Sequence, residues 1–140
     1  MLHKHLETIT SDEWKKLFNF IPLIQSSEYF GEWKGLEKDP RGNIQLPYMV
    51  RSRVVQDFCN LIYELDLLVG FDWPNWTAGR NIVKEGNFKN LDTITLIKIL
   101  TAIIRNDRFC EGALVEAFEN GTIEKILTVL KTNIENRSIK

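Results

Sequence analysis

The sequence predicts a mainly α-helical domain, a bundle of five or six helices with a small β-hairpin insertion near residues 30–50. In several separate segments, apolar residues recur at the i, i+3, i+4, i+7 spacing of amphipathic helices. The chain has 140 residues, of which 44% are hydrophobic and 26% charged, as in an ordinary globular domain. We therefore expect a single domain over residues 1–140, with an ordered core at 6–135 and frayed ends at 1–5 and 136–140.

The first helix begins at a predicted capping box, in which Thr10 is the N-cap and Glu13 lies three residues later. An apolar stripe with helical spacing follows, made of Trp14, Leu17, Phe18 and Ile21. Pro22 lies within this pattern and lacks an N–H group. We expect it to kink or end the helix near residues 20–21.

The hairpin is predicted from a turn signal followed by an alternating segment. The string Asp39-Pro40-Arg41-Gly42 suits a type I turn. The alternating apolar positions after it are Ile44, Leu46, Tyr48 and Val50. Pro47 cannot donate a hydrogen bond to a neighbouring strand, so it confines this strand to a sheet edge.

Two helices are expected between residues 52 and 86. Ser52 is the predicted N-cap of the first, which carries an unbroken apolar stripe from Val54 to Leu65 and is expected to end at Gly70. Asp72 is the predicted N-cap of the second, a short helix that closes at Gly86.

Three further helices are expected after residue 90. Asp92 caps the first, which is apolar nearly all round and is therefore predicted to be central and buried. The polar residues 105–108 interrupt the pattern, and a further helix is predicted to carry Phe109 through Phe118. Thr122 is the predicted cap of the last helix.

Composition argues against several function classes. With 18 basic and 19 acidic side chains the net charge is −1, and the last 50 residues hold seven of each sign. Two helices joined near residue 105 could form a helix-turn-helix, but this balance gives no field for phosphates, so we predict no nucleic-acid binding. No apolar run approaches the ~18 residues of a membrane span, and no signal peptide is visible. We predict a cytoplasmic protein that does not bind membranes.

Few residues of the chain could support catalysis or bind a metal. His3 and His5 are the only histidines, so neither a zinc site nor a Ser-His or Cys-His hydrolase is indicated. Glycine-rich phosphate loops are also absent from the sequence. Cys59 and Cys110 both fall in apolar helical patterns and are expected to be buried free thiols. We therefore predict no cofactor, and the sequence does not favour an enzyme.

A polar cluster of Arg105, Asp107, Arg108 and Glu111 lies between two apolar helices. The structural interpretation makes Asp107 a helix cap and lets the arginines bridge to carboxylates or carbonyls. Arg108 and Glu111 could pair along one helical face, whereas Asp107 and Glu111 would repel each other there. The functional interpretation has Arg105 and Arg108 bind an anion, or has a carboxylate perform acid–base chemistry.

The aromatic segment around Trp73 and Trp76 is the second candidate. The two indoles are three residues apart and are expected to share a helical face. They form either part of the core or an aromatic wall of a binding site.

The segment FDWPNW, followed by LTAIIRNDRFCEGALVEAFENGTIEKILTVL, resembles an uncharacterised bacterial family, a domain of unknown function. The specific part is the Arg-x-Asp-Arg-Phe-x-Glu-Gly string from Arg105 to Gly112. Pro47 and Tyr48 match an upstream Pro-Tyr, and the likeness spans residues 44–131. The resemblance implies a bacterial, cytoplasmic origin and supplies no activity.

Two functions remain open at this point. The first is a non-catalytic protein-interaction or regulatory module with an unknown protein partner, a homodimer being one possibility. It predicts an exposed apolar patch. The second is a small-ligand binding protein or enzyme for an anion or nucleotide-like molecule. It would use Arg105, Asp107, Arg108 and Glu111, with Trp73 and Trp76 as its wall.

Overall fold

Helices make up most of the chain that the structure describes. The computed structural model describes residues 4–35, 38, 40–43 and 46–139. Its helices are α1 (Ser11–Phe18), α2 (Phe20–Ser26), α3 (Arg53–Glu64), α4 (Thr77–Glu85), α5 (Thr93–Asn106), α6 (Ala113–Glu119) and α7 (Thr122–Ile139). The strands are β1 (Gly31–Lys34) and β2 (Tyr48–Arg51), and short 3₁₀ turns cover Lys4–Thr8 and Trp73–Asn75. The predicted mainly α-helical fold with a small hairpin is confirmed.

Helices α1 and α2 are the two halves of one helix interrupted at Asn19. The predicted capping box is present: the Glu13 amide donates to Thr10 Oγ1 at 3.1 Å, and the Thr10 amide donates to Glu13 Oε1 at 2.9 Å. The break lies slightly before the predicted residues 20–21. Pro22 has no N–H to donate to the Phe18 carbonyl and its ring crowds that carbonyl, so the helix breaks in the turn before it.

The two strands form an antiparallel hairpin in which Trp33 lies opposite Met49 and Glu32 lies opposite Val50. Strand β2 begins at Tyr48, directly after Pro47. Residues 40–42 form a turn with Gly42 at φ +84°, but Asp39 and Ile44 lie outside the described residues. The predicted type I turn and the first residue of the alternating pattern therefore stay predictions.

The core lies where α5 and α7 pack against the other helices, and α5 is buried as predicted. Phe58 of α3 meets Phe118 of α6 edge-to-face, with ring centroids 5.2 Å apart. Thr101 is a fully buried polar residue of α5, and its hydroxyl donates to the Ile97 carbonyl and accepts from the Val69 amide. The hydrogen bond from the Val69 amide fixes the segment that follows α3 against the central helix α5.

Helix α3 ends earlier than predicted. Its last residue is Glu64, and Asp66 takes the left-handed conformation at φ 53°. The Leu67 amide then donates to the Ile62 carbonyl at 3.1 Å and the Asp66 amide donates to Tyr63, which is a Schellman motif. The prediction that Gly70 ends this helix was wrong because an aspartate supplies the left-handed residue.

The segment after α5 also differs from the prediction. Residues 107–112 form turns rather than a helix, and Gly112 at φ +93° precedes α6. As a result Phe109 lies outside the helix and is 77% exposed. Cys110 is exposed as well, which corrects the expectation of a buried thiol, whereas Cys59 is buried as predicted.

Two other helix starts are shifted. The predicted helix from Asp72 is a 3₁₀ turn over Trp73–Asn75 followed by α4, and its predicted end at Gly86 in the left-handed conformation is confirmed. Thr122 is the first residue of α7 rather than its cap, and its amide donates to Asn120 Oδ1 at 3.0 Å. Helix α7 extends past residue 135, at which the predicted core ends. Within the described ranges, no helix has the length and apolarity that crossing a membrane requires.

Candidate functional site

Asp107 joins the hairpin to helix α6. Its Oδ2 accepts a hydrogen bond from Arg51 Nη2 at 2.6 Å, and its Oδ1 accepts one from the Leu114 amide at 2.9 Å. The residue at the N-cap position of α6 is Gly112, which has no side chain to cap the helix. Asp107 therefore supplies the capping acceptor from earlier in the chain. The predicted capping role is present, although Asp107 is not itself the N-cap residue.

Arg51 is held between Asp107 and Cys59. The Arg51 and Asp107 side chains are only 29% and 12% exposed, and Arg51 Nη1 lies 3.6 Å from Cys59 Sγ. Burial is the largest effect on the pKa of Arg51 and acts to lower it, but the hydrogen bond to Asp107 and the nearby charges of Asp107, Cys59 and Tyr63 together outweigh it, so the pKa is raised. Burial also raises the pKa of the Cys59 thiol against the effect of the Arg51 charge. The thiol therefore stays protonated near neutral pH, which fits a structural cysteine.

Glu111 provides a second link to the hairpin, since its Oε1 accepts from the Met49 amide at 3.2 Å. Asp107 and Glu111 do not face each other along a helix because the residues between them form turns. Each carboxylate has its own donor on β2. Asp107 and Glu111 therefore have a structural role, because each accepts a hydrogen bond that holds the hairpin in place.

The two arginines of the cluster have no such role. Neither Arg105 nor Arg108 forms an ion pair or a side-chain hydrogen bond with the described residues, so the expected Arg108–Glu111 pair is not formed. Arg105 is half-buried at the end of α5, and Arg108 is exposed. Their predicted part in anion binding stays a prediction.

The two tryptophans line a cavity of about 310 Å³ between α4 and α5. Trp73 lies in the 3₁₀ turn and Trp76 directly precedes α4, so they do not share one helical face as expected. The lining consists of Trp73, Trp76, Gly79, Arg80, Val83, Lys84, Ile99, Ala102, Ile103 and Asn106. Most of this wall is apolar, and its charged members are cations.

Of the predicted site residues, the structure brings only the two tryptophans into this cavity. Asp107 and Glu111 bind the hairpin instead, although Trp73 touches Phe109 of the intervening turn at a ring distance of 6.2 Å. Sequence reasoning missed Arg80 and Lys84. The sequence feature that could have identified them is their spacing. Positions 76, 80 and 84 are four residues apart, so Arg80 and Lys84 lie on one face of a helix together with Trp76.

Exposed apolar residues occupy alternate positions along β2 and the segment just before it. We use the name hairpin stripe for Leu46, Tyr48 and Val50, which are 88%, 45% and 37% exposed. Met49 and Arg51 alternate with them and contact the turn between α5 and α6 through Glu111 and Asp107. The strand therefore has one face toward the protein and an apolar face toward solvent.

No group of three or more His, Cys, Asp or Glu side chains that could hold a metal ion occurs among the residues described by the structure. His3, one of the two histidines, lies outside them.

Comparisons with known proteins identify a family for this chain. No curated protein and no solved structure matches this chain. A family of unknown function, DUF6508, matches over residues 9–136. This range contains both the hairpin and the segments that carry the resemblance noted above. The chain therefore belongs to this family of unknown function.

Proposed function

We propose that this chain is a non-catalytic interaction module of the bacterial cytoplasm that presents its β-hairpin to a protein partner. The observation that carries the proposal is the hairpin stripe. Single exposed apolar residues are common on protein surfaces, but Tyr48 and Val50 of β2 and Leu46 just before the strand together form an apolar patch. Such patches are typical of surfaces that become buried on association.

The hairpin stripe leaves apolar area in water that a partner would bury. Burying apolar surface contributes about 25 cal/mol per Å². Leu46 is 88% exposed, so nearly its whole side chain is available to a partner. Aromatic residues such as Tyr48 combine large contact area with a hydroxyl group, and they are enriched where proteins meet.

The hairpin is also held in place before any partner arrives. Arg51 is tied to Asp107, and the Met49 amide to Glu111. Beneath the hairpin, a Cβ atom at Gly112 would lie 2.7 Å from the Trp33 ring, and one at Gly31 would lie 2.9 Å from Val115. Strand and helix are therefore in direct contact. A surface fixed in this way loses little conformational entropy on binding.

Site-specific photocross-linking tests the proposal. A photoreactive amino acid is placed at position 46, and in a matched variant at position 16, where Lys16 is exposed on α1 far from the hairpin in sequence. Each variant is expressed at its native level in the source cells and irradiated. We expect a discrete covalent product from position 46 alone. A product of twice the chain mass would identify a second copy as the partner. Absence of a product, or the same products from both positions, would contradict the proposal.

A further inference from the structure

We propose that the cavity between α4 and α5 binds a small organic anion with a flat apolar body, namely an aromatic carboxylate. The observations behind this site are separate from the hairpin stripe. Its walls, volume and charge each restrict the ligand, and they restrict it to the same class.

The volume and the walls define the body of the ligand. A cavity of about 310 Å³ is at the small end of the range for ligand sites, which suits one aromatic ring with a short chain. Two indoles and the aliphatic side chains of Val83, Ile99 and Ile103 supply the surface. Aromatic rings stack well against such walls.

The charge of the lining defines the other end of the ligand. Arg80 and Lys84 lie one turn apart on α4, and the lining contains no acidic residue. Arg80 donates to the Pro74 carbonyl, which fixes its guanidinium beside the tryptophans while leaving further N–H donors. A guanidinium and an ammonium together bind an anionic group such as a carboxylate through charge-assisted hydrogen bonds.

The cavity is kept open by small residues and by a fixed indole. Gly79 and Ala102 place no bulky side chain in it. A Cβ atom at Gly79 would lie 2.3 Å from the Trp76 ring, so the indole packs directly on the helix backbone. Phe71 also packs against Trp76 edge-to-face, with ring centroids 5.3 Å apart. The wall is therefore formed without a ligand, as in most small-molecule sites.

The probes are 4-phenylbutyrate and its uncharged amide, which share the ring and the chain but differ in charge. Isothermal titration calorimetry at constant ionic strength measures both with the full chain. We expect saturable binding of the carboxylate with a Kd below about 1 mM, and binding of the amide at least about fivefold weaker. No saturation with the carboxylate at several times that concentration, or equal affinities, would overturn the proposal.

Two charge variants test whether the anion binds beside α4. Lys84→Gln removes a cavity cation, and Lys89→Gln removes an exposed lysine that is not part of the lining. We expect the first to weaken carboxylate binding at least about fivefold and the second to leave it unchanged. Equal losses would show a general electrostatic effect and would overturn the site.

A third variant tests the location independently of charge. Ala102→Leu fills the cavity from the α5 side and leaves both cations in place. We expect it to abolish binding while the melting temperature stays the same or rises, which shows that the fold is intact. Wild-type affinity in a folded Ala102→Leu protein would overturn the proposal.

Discussion

The carboxylate of Asp107 accepts a 2.6 Å hydrogen bond from the guanidinium of Arg51, which lies 56 residues earlier in the chain. The same carboxylate accepts a hydrogen bond from the amide of Leu114 in the first turn of α6. One side chain therefore caps a helix and fixes the strand that carries the exposed stripe.

Asp107→Ala should lower the free energy of unfolding by about 2–3 kcal/mol, because it removes a helix cap and leaves Arg51 partly buried without its partner. The melting temperature should fall by roughly 5–10 °C. The control is Asp57→Ala, since Asp57 pairs with Arg53 at 3.6 Å in a largely exposed ion pair. That variant should lose less than about 0.5 kcal/mol. Similar losses in urea unfolding of both variants would show that the Asp107 link contributes no more than a surface pair.

The pH dependence of stability should contain a contribution from Asp92, the cap of α5. The pKa of Asp92 is lowered because its carboxylate accepts hydrogen bonds from Thr95. A folded pKa below the unfolded value gives stability that is complete above the unfolded pKa and is lost as the pH falls through the folded one. Asp92→Ala should therefore cost about 1 kcal/mol at neutral pH. This deficit should shrink below about pH 4.

The matched variant for Asp92 is Asp92→Asn, which keeps an acceptor at the cap but cannot titrate. Asp92→Asn should be more stable than Asp92→Ala, and this difference in the free energy of unfolding should not change with pH. Denaturant titrations between neutral and acidic pH measure both differences. A deficit of Asp92→Ala that does not change with pH would contradict the assigned role of the ionised carboxylate.

Gly79→Ala should destabilise the protein although alanine favours helices. The added Cβ atom would lie 2.3 Å from the Trp76 ring, which must move from the helix backbone. The expected cost is about 1–3 kcal/mol, together with a changed tryptophan emission spectrum. Gly70→Ala is the control because its Cβ would meet no atom within 4 Å, so its stability should change by less than about 0.5 kcal/mol. An unchanged spectrum and stability for Gly79→Ala would show that the indole does not pack there.

The two cysteines should differ in reactivity toward a thiol reagent such as Ellman's reagent. Cys110 is exposed in the turn before α6, whereas Cys59 is 3% exposed and burial raises the pKa of its thiol. In the native chain, one thiol, that of Cys110, should react rapidly with the reagent. The thiol of Cys59 should react only when the chain unfolds. Cys110→Ser should remove the rapid phase. Two rapid equivalents in the native chain would contradict the burial of Cys59 beside Arg51.

Local signals predicted much of the fold. The Thr10–Glu13 capping box, the Asp92 cap and the left-handed Gly86 each depend on neighbouring residues, so the sequence itself shows them. The end of α3 was missed because Asp66, rather than a glycine, takes the left-handed conformation. What stabilises it there includes the burial of Leu67, which depends on the tertiary fold.

The candidate sites were less predictable for a similar reason. The polar string at 105–111 suggested one cluster, but its carboxylates find donors on a strand more than fifty residues away in the chain. No local pattern encodes that pairing. The tryptophan wall was recognisable from composition, whereas the adjoining Arg80 and Lys84 required the direction of α4 to be known.

The hairpin stripe should matter for association and not for stability. Leu46→Ser should change the free energy of unfolding by less than about 0.5 kcal/mol because the side chain is 88% exposed. Met49→Ala on the opposite face should cost about 1–2 kcal/mol, since Met49 is partly buried against the core. Thermal melting of the two variants compares them. A larger loss for Leu46→Ser would mean that the stripe packs within the fold.

The most direct test of the hairpin as an interaction surface is the photocross-linking yield from position 46 when a charge is placed on the hairpin stripe. Val50→Lys puts an ammonium group on the hairpin stripe, and Gln56→Lys puts the same group on an exposed position of α3. We expect Val50→Lys to remove the covalent product and Gln56→Lys to retain it. Retention of the product with Val50→Lys, in a protein of unchanged melting temperature, would contradict the hairpin as the interaction surface.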